Sequence, residues 1–303
     1  VKSARGLLRT LLLVQLGAAI LIAWLAAARL GMASWQAALL GIACVVLVRL
    51  LINANNFVLA ACFAGATPPA YRLGVKARLR LLAGEFAASM LQTSWFVPRA
   101  SAATRIHPGS RHPPVLLLHG YGCNSGYWVH LTPLLDAARI SHATIDLEPV
   151  AGDIDAYVPL VDRAVRELRA ASGAGRVAIV AHSMGGLVAR AYLRTHGSAG
   201  VARVITLGTP HHGTALARFG LGPNAVQMRR DSAWLRALAL SEDAAARALV
   251  TSIYTHHDNI VSPRDSGRLE GARNLEFGGI GHVALGRTPR VLAAVMRELA
   301  VLE

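Results

Sequence analysis

Acidic residues are scarce in this chain. Its 303 residues carry 17 Asp and Glu against 31 Lys and Arg, and a single acid, Glu85, stands among the first 112. Cysteine is also rare, with three in all. Cys44 and Cys62 lie in apolar stretches and Cys123 in a loop, so neither a disulfide framework nor a metal-ligand spacing can be argued. Charged residues of both signs make up only 16%, while 53% are hydrophobic. That balance is too apolar for an ordinary soluble domain. There is no internal repeat and no low-complexity tract.

The excess charge is localised. Residues 1–112 hold 12 Lys and Arg and one acid, a net +11; residues 113–303 hold 19 basic and 16 acidic residues, a net +3. A basic chain can suggest nucleic acid. Here the positive charge flanks long apolar runs, which suits anionic lipid instead. Lys2, Arg5 and Arg9 precede an uncharged run over 10–28, and a second uncharged run covers 30–48. At about 1.5 Å per residue each spans about 28 Å, enough for a bilayer core. Trp24 and Trp35 suit one interface. A third stretch, 50–71, contains Asn53, Asn55, Asn56 and Pro68-Pro69, and is expected to lie on or in the interface. Basic residues cluster before the first span and after the second, at Arg49, Arg72, Lys76, Arg78 and Arg80. This predicts a hairpin with both ends, and the domain that follows it, on the cytoplasmic side. A cleavable leader ending at Ala26-Ala27-Ala28 is the competing reading. The length of the run and the second span directly after it favour the hairpin.

The expected organisation is an anchor over 1–71, an amphipathic connector and linker over 72–112, and a catalytic domain over 113–303. The connector reads either as a membrane-hugging helix or as a helix packed on that domain. From Pro114 onward short apolar runs alternate with helical patterns. Strands are expected at 115–118, 143–147, 176–181, 204–207, 248–254 and 274–277. This alternation makes a mostly parallel sheet with helices on both faces, and the active sites of such sheets lie at the carboxyl ends of the strands.

Residues 177–187, VAIVAHSMGGL, read as strand, sharp turn and helix with Ser183 at the apex. This is the G-x-S-x-G nucleophile elbow with Ala181 at the first position. The order serine, acid, histidine is then expected at strand ends. Asp258 follows the strand that contains Ile253, and Asp265 is the fallback acid. His282 follows the last strand, after Gly278, Gly279 and Gly281, which let the loop bend toward the elbow. A serine hydroxyl needs an adjacent base, which His282 supplies, and Asp258 would orient the imidazole. Backbone N–H groups of Met184, after the nucleophile, and Tyr121, in the His119-Gly120-Tyr121-Gly122 loop, are the candidate oxyanion donors. Removing one such donor typically costs about 3–4 kcal/mol.

His119-Gly120, the Ala-His-Ser-Met-Gly-Gly elbow and the stretch 251–285 resemble the small bacterial lipases of the α/β-hydrolase superfamily, over about residues 113–303. The resemblance implies carboxylic ester hydrolysis with Ser183, Asp258 and His282 as triad, Tyr121 and Met184 as oxyanion donors, no cofactor, and a bacterial inner membrane for the hairpin; no metal is expected, since no clear carboxylate pair follows His282. The partners expected are an acyl ester or lipid and a membrane, with no nucleic acid. An acyltransferase or thioesterase on the same triad, or a non-catalytic membrane protein on a hydrolase fold, are the alternatives. The sequence departs at 211–247, a candidate cap with an apolar face that includes Phe219, Leu221 and Met228. The same segment also reads as a surface helix pair packed on the sheet. His211, His212, His256 and His257 are expected on rim loops in solvated or hydrogen-bonded roles, and Asp153 and Asp155 as helix caps.

Overall fold

The computed structural model describes residues 3–302; Lys2, counted above among the basic flanks, lies outside them. The chain opens with two long helices, α1 (Ala4–Leu30) and α2 (Ser34–Phe63). Gly31 turns the chain between them with φ 65°, a left-handed conformation that glycine adopts without strain. Both helices are long and apolar enough to cross a membrane, and their most apolar windows are only 6% and 17% buried. A core helix of a soluble domain would be mostly buried, so these helices form a candidate membrane hairpin.

The expected break after Arg49 is absent, because α2 continues unbroken to Phe63. Arg49 is held there by polar groups of neighbouring helices. Its guanidinium donates to Ser94 Oγ at 2.7 Å, to Thr93 Oγ1 and to Gln15 Oε1. Asn53 is buried within the same bundle. Asn55 stays exposed, and it and Asn56 line the cavity at Ser183 described below. At the domain end of the hairpin Arg5 donates to the Ala100 carbonyl, and Arg9 to the Pro98 carbonyl at 3.0 Å.

Helix α3 (Val75–Leu91) continues through a π-helical turn, Gln92–Phe96, into the short α4 (Val97–Arg99). The connector is a helix with one face packed and one face exposed. Leu81, Glu85 and Ala88 are buried against the following domain, whereas Val75, Leu79 and Trp95 are exposed.

The remainder is built on strands β1 (Thr104–Arg105), β2 (Val115–Leu118), β3 (His142–Ile145), β4 (Val177–His182), β5 (Val201–Leu207), β6 (Val250–Thr255) and β7 (Arg273–Phe277). Among the described residues they form one seven-stranded sheet in the order β1-β3-β2-β4-β5-β6-β7. All neighbours are parallel except β1, which runs antiparallel to β3. The two-residue β1 was not legible as a strand, because its side chains are exposed and show no alternation. It also carries the sheet past the expected boundary at 113.

The helices are α5 (Thr132–Ala137), α6 (Val158–Ser172), α7 (Met184–His196), α8 (Pro223–Gln227), α9 (Ala233–Leu240), α10 (Ala244–Ala248) and α11 (Pro289–Ala300). Helix α6 presents Val158, Val161, Val165 and Leu168 on one stripe, and with α7 and α9 covers one face of the sheet. Helices α5 and α11, with Ala88 of α3, cover the other. Each fully buried Val or Leu in these layers contributes about 1.5–3 kcal/mol. Helix α9 thus matches the packed surface-helix reading of 211–247, while residues 215–228 form a separate part described below.

The hairpin depends on one close approach. A Cβ on Gly41 of α2 would overlap the Ala19 carbonyl oxygen of α1, whereas Gly17 faces open space. Gly41→Leu should therefore destabilise the detergent-solubilised protein by about 1–3 kcal/mol, with Gly17→Leu near neutral. Thermal unfolding in detergent checks this, and equal effects of the two variants would contradict the packing.

Candidate active site

Strand β4 is buried along its whole length and ends at the central position of the sheet. Ser183 follows it with φ 54° and ψ −125°, and α7 starts at the next residue. For a residue with a Cβ this conformation costs on the order of 1–3 kcal/mol and needs fixing from outside. The Ser183 N–H donates to the Leu207 carbonyl at 2.9 Å, and its carbonyl accepts from Thr209 Oγ1 at 2.9 Å and from the Gly186 N–H at 3.0 Å. The serine stands at the N-terminus of a 13-residue helix, where free N–H groups and the helix dipole favour negative charge. The Met184 N–H belongs to this first turn.

The loop after β2 lies against the serine. A Cβ on Gly120 would come within 2.8 Å of Ser183 Cβ, so only glycine permits this approach. His119 is buried, and burial pushes its pKa down, which keeps it neutral. Its Nε2 accepts from the Leu147 N–H at 2.8 Å, so the proton sits on Nδ1 and is donated to the Gly120 carbonyl at 2.9 Å. In a planar trans peptide the C=O and N–H point in opposite directions. Holding the Gly120 carbonyl on His119 therefore turns the Tyr121 N–H the other way. The Tyr121 hydroxyl donates to the Leu221 carbonyl at 2.9 Å and accepts from the Leu221 N–H at 3.1 Å, which ties this loop to residues 215–221.

Asp258 lies three residues beyond β6 and is 3% exposed; His282 lies beyond β7 and is 4% exposed. His282 Nδ1 donates to Asp258 Oδ2 at 2.8 Å, leaving the Nε2 lone pair free. Asp258 Oδ1 accepts from the N–H groups of Ile260 at 2.8 Å and Val261 at 2.7 Å. Burial acts to depress the His282 pKa, but the charge and hydrogen bond of Asp258, with the charge of Glu85, outweigh it and hold the imidazole above its ordinary value. Asp265, the fallback acid, is exposed in the turn Arg264–Gly267 and makes no contact with the histidine among the described residues. The pair is linked to Ser183 through two neighbours. A Cβ on Gly208, next to Leu207, would lie 3.2 Å from His282 Nδ1, and the His182 ring lies 4.6 Å from the His282 ring. Among the described residues the Ser183 hydroxyl has no hydrogen bond to His282; such bonds tighten when substrate binds.

Two residues that the sequence reading passed over hold the histidine loop. Asn259 Oδ1 accepts the His282 N–H at 3.0 Å. Glu85, from α3, accepts the N–H groups of Val283 at 2.8 Å and Ala284 at 2.9 Å. Burial raises the Glu85 pKa, and these two N–H groups and the His282 charge lower it in part. The signal for Glu85 was its isolation as the only acid in the first third. Its partner, nearly 200 residues away, had no trace in the local pattern.

The other expected residues divide. His211 is not on the rim: it is buried, shares hydrogen bonds with Thr206, Ser252 and Arg190, and is held well below its ordinary pKa, first by burial and then by Arg190. Flanking sequence alone did not show that the 209–214 turn folds inward. His256 pairs with Glu276 at 2.8 Å and stacks on Tyr71. Asp153 Oδ1 accepts from the Asp155 N–H, and Asp155 pairs with Arg194 at 2.6 Å. One His/Asp cluster with metal-ligand spacing occurs among the described residues, His107, Asp136 and His142, at the opposite end of the sheet. Arg105 lies 3.5 Å from the same Asp136 oxygen that both imidazoles face, so the group reads as an ion-pair network.

A family model described as the alpha/beta hydrolase fold matches residues 113–231. Among solved structures, the mature Bacillus licheniformis lipase BlEst2 is 20% identical with a TM-score of 0.56, over 66% of this chain and 97% of that one. Aspergillus fumigatus lipase B is 21% identical with a TM-score of 0.56, over 67% and 56%. The Paleococcus ferrophilus monoacylglycerol lipase is 17% identical with a TM-score of 0.50, over 67% and 99%. At these identities the likeness is one of fold.

Glu85 generates a prediction with a definite sign. Its negative charge helps to raise the His282 pKa, so Glu85→Gln should move the acid limb of the kcat/KM profile to lower pH. Glu85→Ala, which orphans two buried N–H groups, should cost about 1–3 kcal/mol of stability per group. An unchanged acid limb in Glu85→Gln would contradict this role.

Proposed function

We propose that this α/β-hydrolase-fold chain is a membrane-anchored serine ester hydrolase that takes acyl lipids directly from the bilayer. The observation that carries this reading is the cavity at the nucleophile. It measures about 620 Å³ and is lined by Ser183, by Ala217, Phe219 and Met228 of the cap region, and by Asn56 and Leu59 of α2. That volume suits an acyl group, and the lining is mostly apolar with a few polar groups. One wall is thus the hairpin itself. Phe219 and Leu221 at the rim are 61% and 77% exposed, an apolar edge suited to lipid.

In this reading His282 Nε2 takes the Ser183 proton as Oγ attacks the ester carbonyl. The resulting oxyanion is held by the Met184 and Tyr121 N–H groups. Asp258 fixes the imidazole tautomer and stabilises its charged form. The tetrahedral intermediate collapses by breaking the ester C–O bond, and His282 returns its proton to the departing alcohol. Water, deprotonated by the same imidazole, then attacks the acyl-enzyme and releases the fatty acid and Ser183. The basic flanks of the hairpin support a cytoplasmic position for this chemistry.

A fluorophosphonate should label the full chain in detergent, with labelling lost in Ser183→Ala; equal labelling of the two would overturn the mechanism. Leu59→Trp should lower kcat/KM at least tenfold for p-nitrophenyl palmitate and much less for the acetate. If both esters respond alike, α2 does not line the acyl path. For membrane side, a C-terminal alkaline phosphatase fusion should be inactive and a green fluorescent protein fusion bright, and the reverse pattern would place the domain outside.

A further inference from the structure

We infer that a second cavity, on the other side of α2 from Ser183, binds an anionic phospholipid, with its phosphate on Arg72, Arg78 and Arg264 and an acyl chain along α2 and α3. The cavity measures about 540 Å³ and lies between α2, the loop that follows it, α3 and the segment after Asp258. Its apolar walls include Phe57, Val58, Leu79 and Leu82. No residue lining it is acidic. Among the described residues, none of its three guanidiniums is paired with a carboxylate. Glu85, the only acid of this third of the chain, lies on the buried face of α3 and is engaged by Val283 and Ala284.

The three cations are shaped for an anion. Arg264 is half-buried; one Nη donates to Thr67 Oγ1 at 2.9 Å, and its Nε is buried without a partner. Arg78 uses its Nε on the Leu73 carbonyl at 3.1 Å, and its Nη groups make no hydrogen bond among the described residues. Guanidiniums with spare donors hold phosphate oxygens more strongly than neutral donors do. The positive field is felt by His257 on the same wall. Burial first, then the charges of Arg264, His256 and Arg78, bring its pKa down to about 4.

The surroundings favour a lipid over a free anion. Val58 and Leu79 are 61% and 62% exposed and continue the apolar outer surface of the hairpin. The cavity residues of α2 begin five positions past Arg49, on the domain side of the apolar runs, which is headgroup depth for a bilayer-spanning hairpin. The site also touches the catalytic segment: Ser262 Oγ, two residues before Arg264, donates to the Ala60 carbonyl of α2 at 2.7 Å.

The test uses the full chain carrying Ser183→Ala, so that hydrolysis of any lipid cannot affect the result and the hydrolase reading is not at stake. The protein is reconstituted in nanodiscs of phosphatidylcholine with a minor fraction of phosphatidylglycerol, released into mild detergent and weighed by native mass spectrometry. One phosphatidylglycerol per chain should be retained over phosphatidylcholine. Arg78→Gln and the Arg78→Gln/Arg264→Gln pair should reduce that retention, the pair by at least about tenfold. Arg163→Gln, an exposed cation on α6, should leave it unchanged. Equal loss in Arg163→Gln would make the effect one of general surface charge and overturn the site. Retention unaffected by the pair would overturn it too. Displacement of the lipid by millimolar inorganic phosphate would show an anion site with no role for the chain, and would contradict the lipid. Arg78→Gln alone, at an exposed helix position, guards against misfolding, with the melting temperature as control.

Discussion

One carboxylate joins the two halves of this molecule. Glu85 leaves α3, a helix that follows the membrane hairpin, and accepts two backbone N–H groups immediately after His282. Those N–H groups open a 3₁₀ turn, Val283–Arg287, and would be unsatisfied inside the protein without it. Burying a charge is costly unless it is hydrogen-bonded, and here the hydrogen bonds also fix the backbone that carries His282. The histidine is therefore positioned from both sides, by Asp258 on its ring and by Glu85 and Asn259 on its main chain. A fragment beginning at residue 113 would lack the first of these main-chain supports and the α2 wall of the pocket.

The same geometry explains the charge distribution. In the proposed membrane setting the scarcity of acids in the first third follows, since its outer surface would meet lipid and its basic residues headgroups. The exception is turned inward and satisfied. Arg49 follows a matching rule, since its charge in the apolar bundle is met by Ser94, Thr93 and Gln15. Arg72, Arg78 and Arg264 differ in keeping donors to spare and, among the described residues, having no carboxylate partner, which is why they are the cations proposed to hold an anion.

Much of the catalytic half was legible in the sequence. Strand-to-helix alternation gave the parallel sheet, because buried parallel strands read as continuous apolar runs bounded by turns. Ser183, Asp258 and His282 could be picked out because each follows a strand end, where such folds build sites. The hydrogen bond between Asp258 and His282, and the exposure of Asp265, accord with that choice. The misses share a cause. Helix α2 ran on past Arg49 because Ser94, Thr93 and Gln15 satisfy its charge, and a window of sequence cannot show partners. His211 moved from rim to interior for the same reason, through Arg190 and Ser252. Glu85 was counted as a charge and not as a contact, since 197 residues of chain separate it from His282. Within the segment 211–247, Leu235 and Leu238 of α9 join the core, while Ala217, Phe219 and Met228 line the cavity.

The account is that a serine at a strained elbow works in a pocket completed by a membrane helix. The most direct measurement is the structure of the full chain in a nanodisc after reaction with a long-chain alkyl phosphonate. The account predicts phosphorus bonded to Ser183 Oγ, a phosphonyl oxygen on the Tyr121 and Met184 N–H groups, and the alkyl chain between Leu59 and Met228. Phosphorus on another residue, or a chain that leaves the site without touching α2, would contradict it.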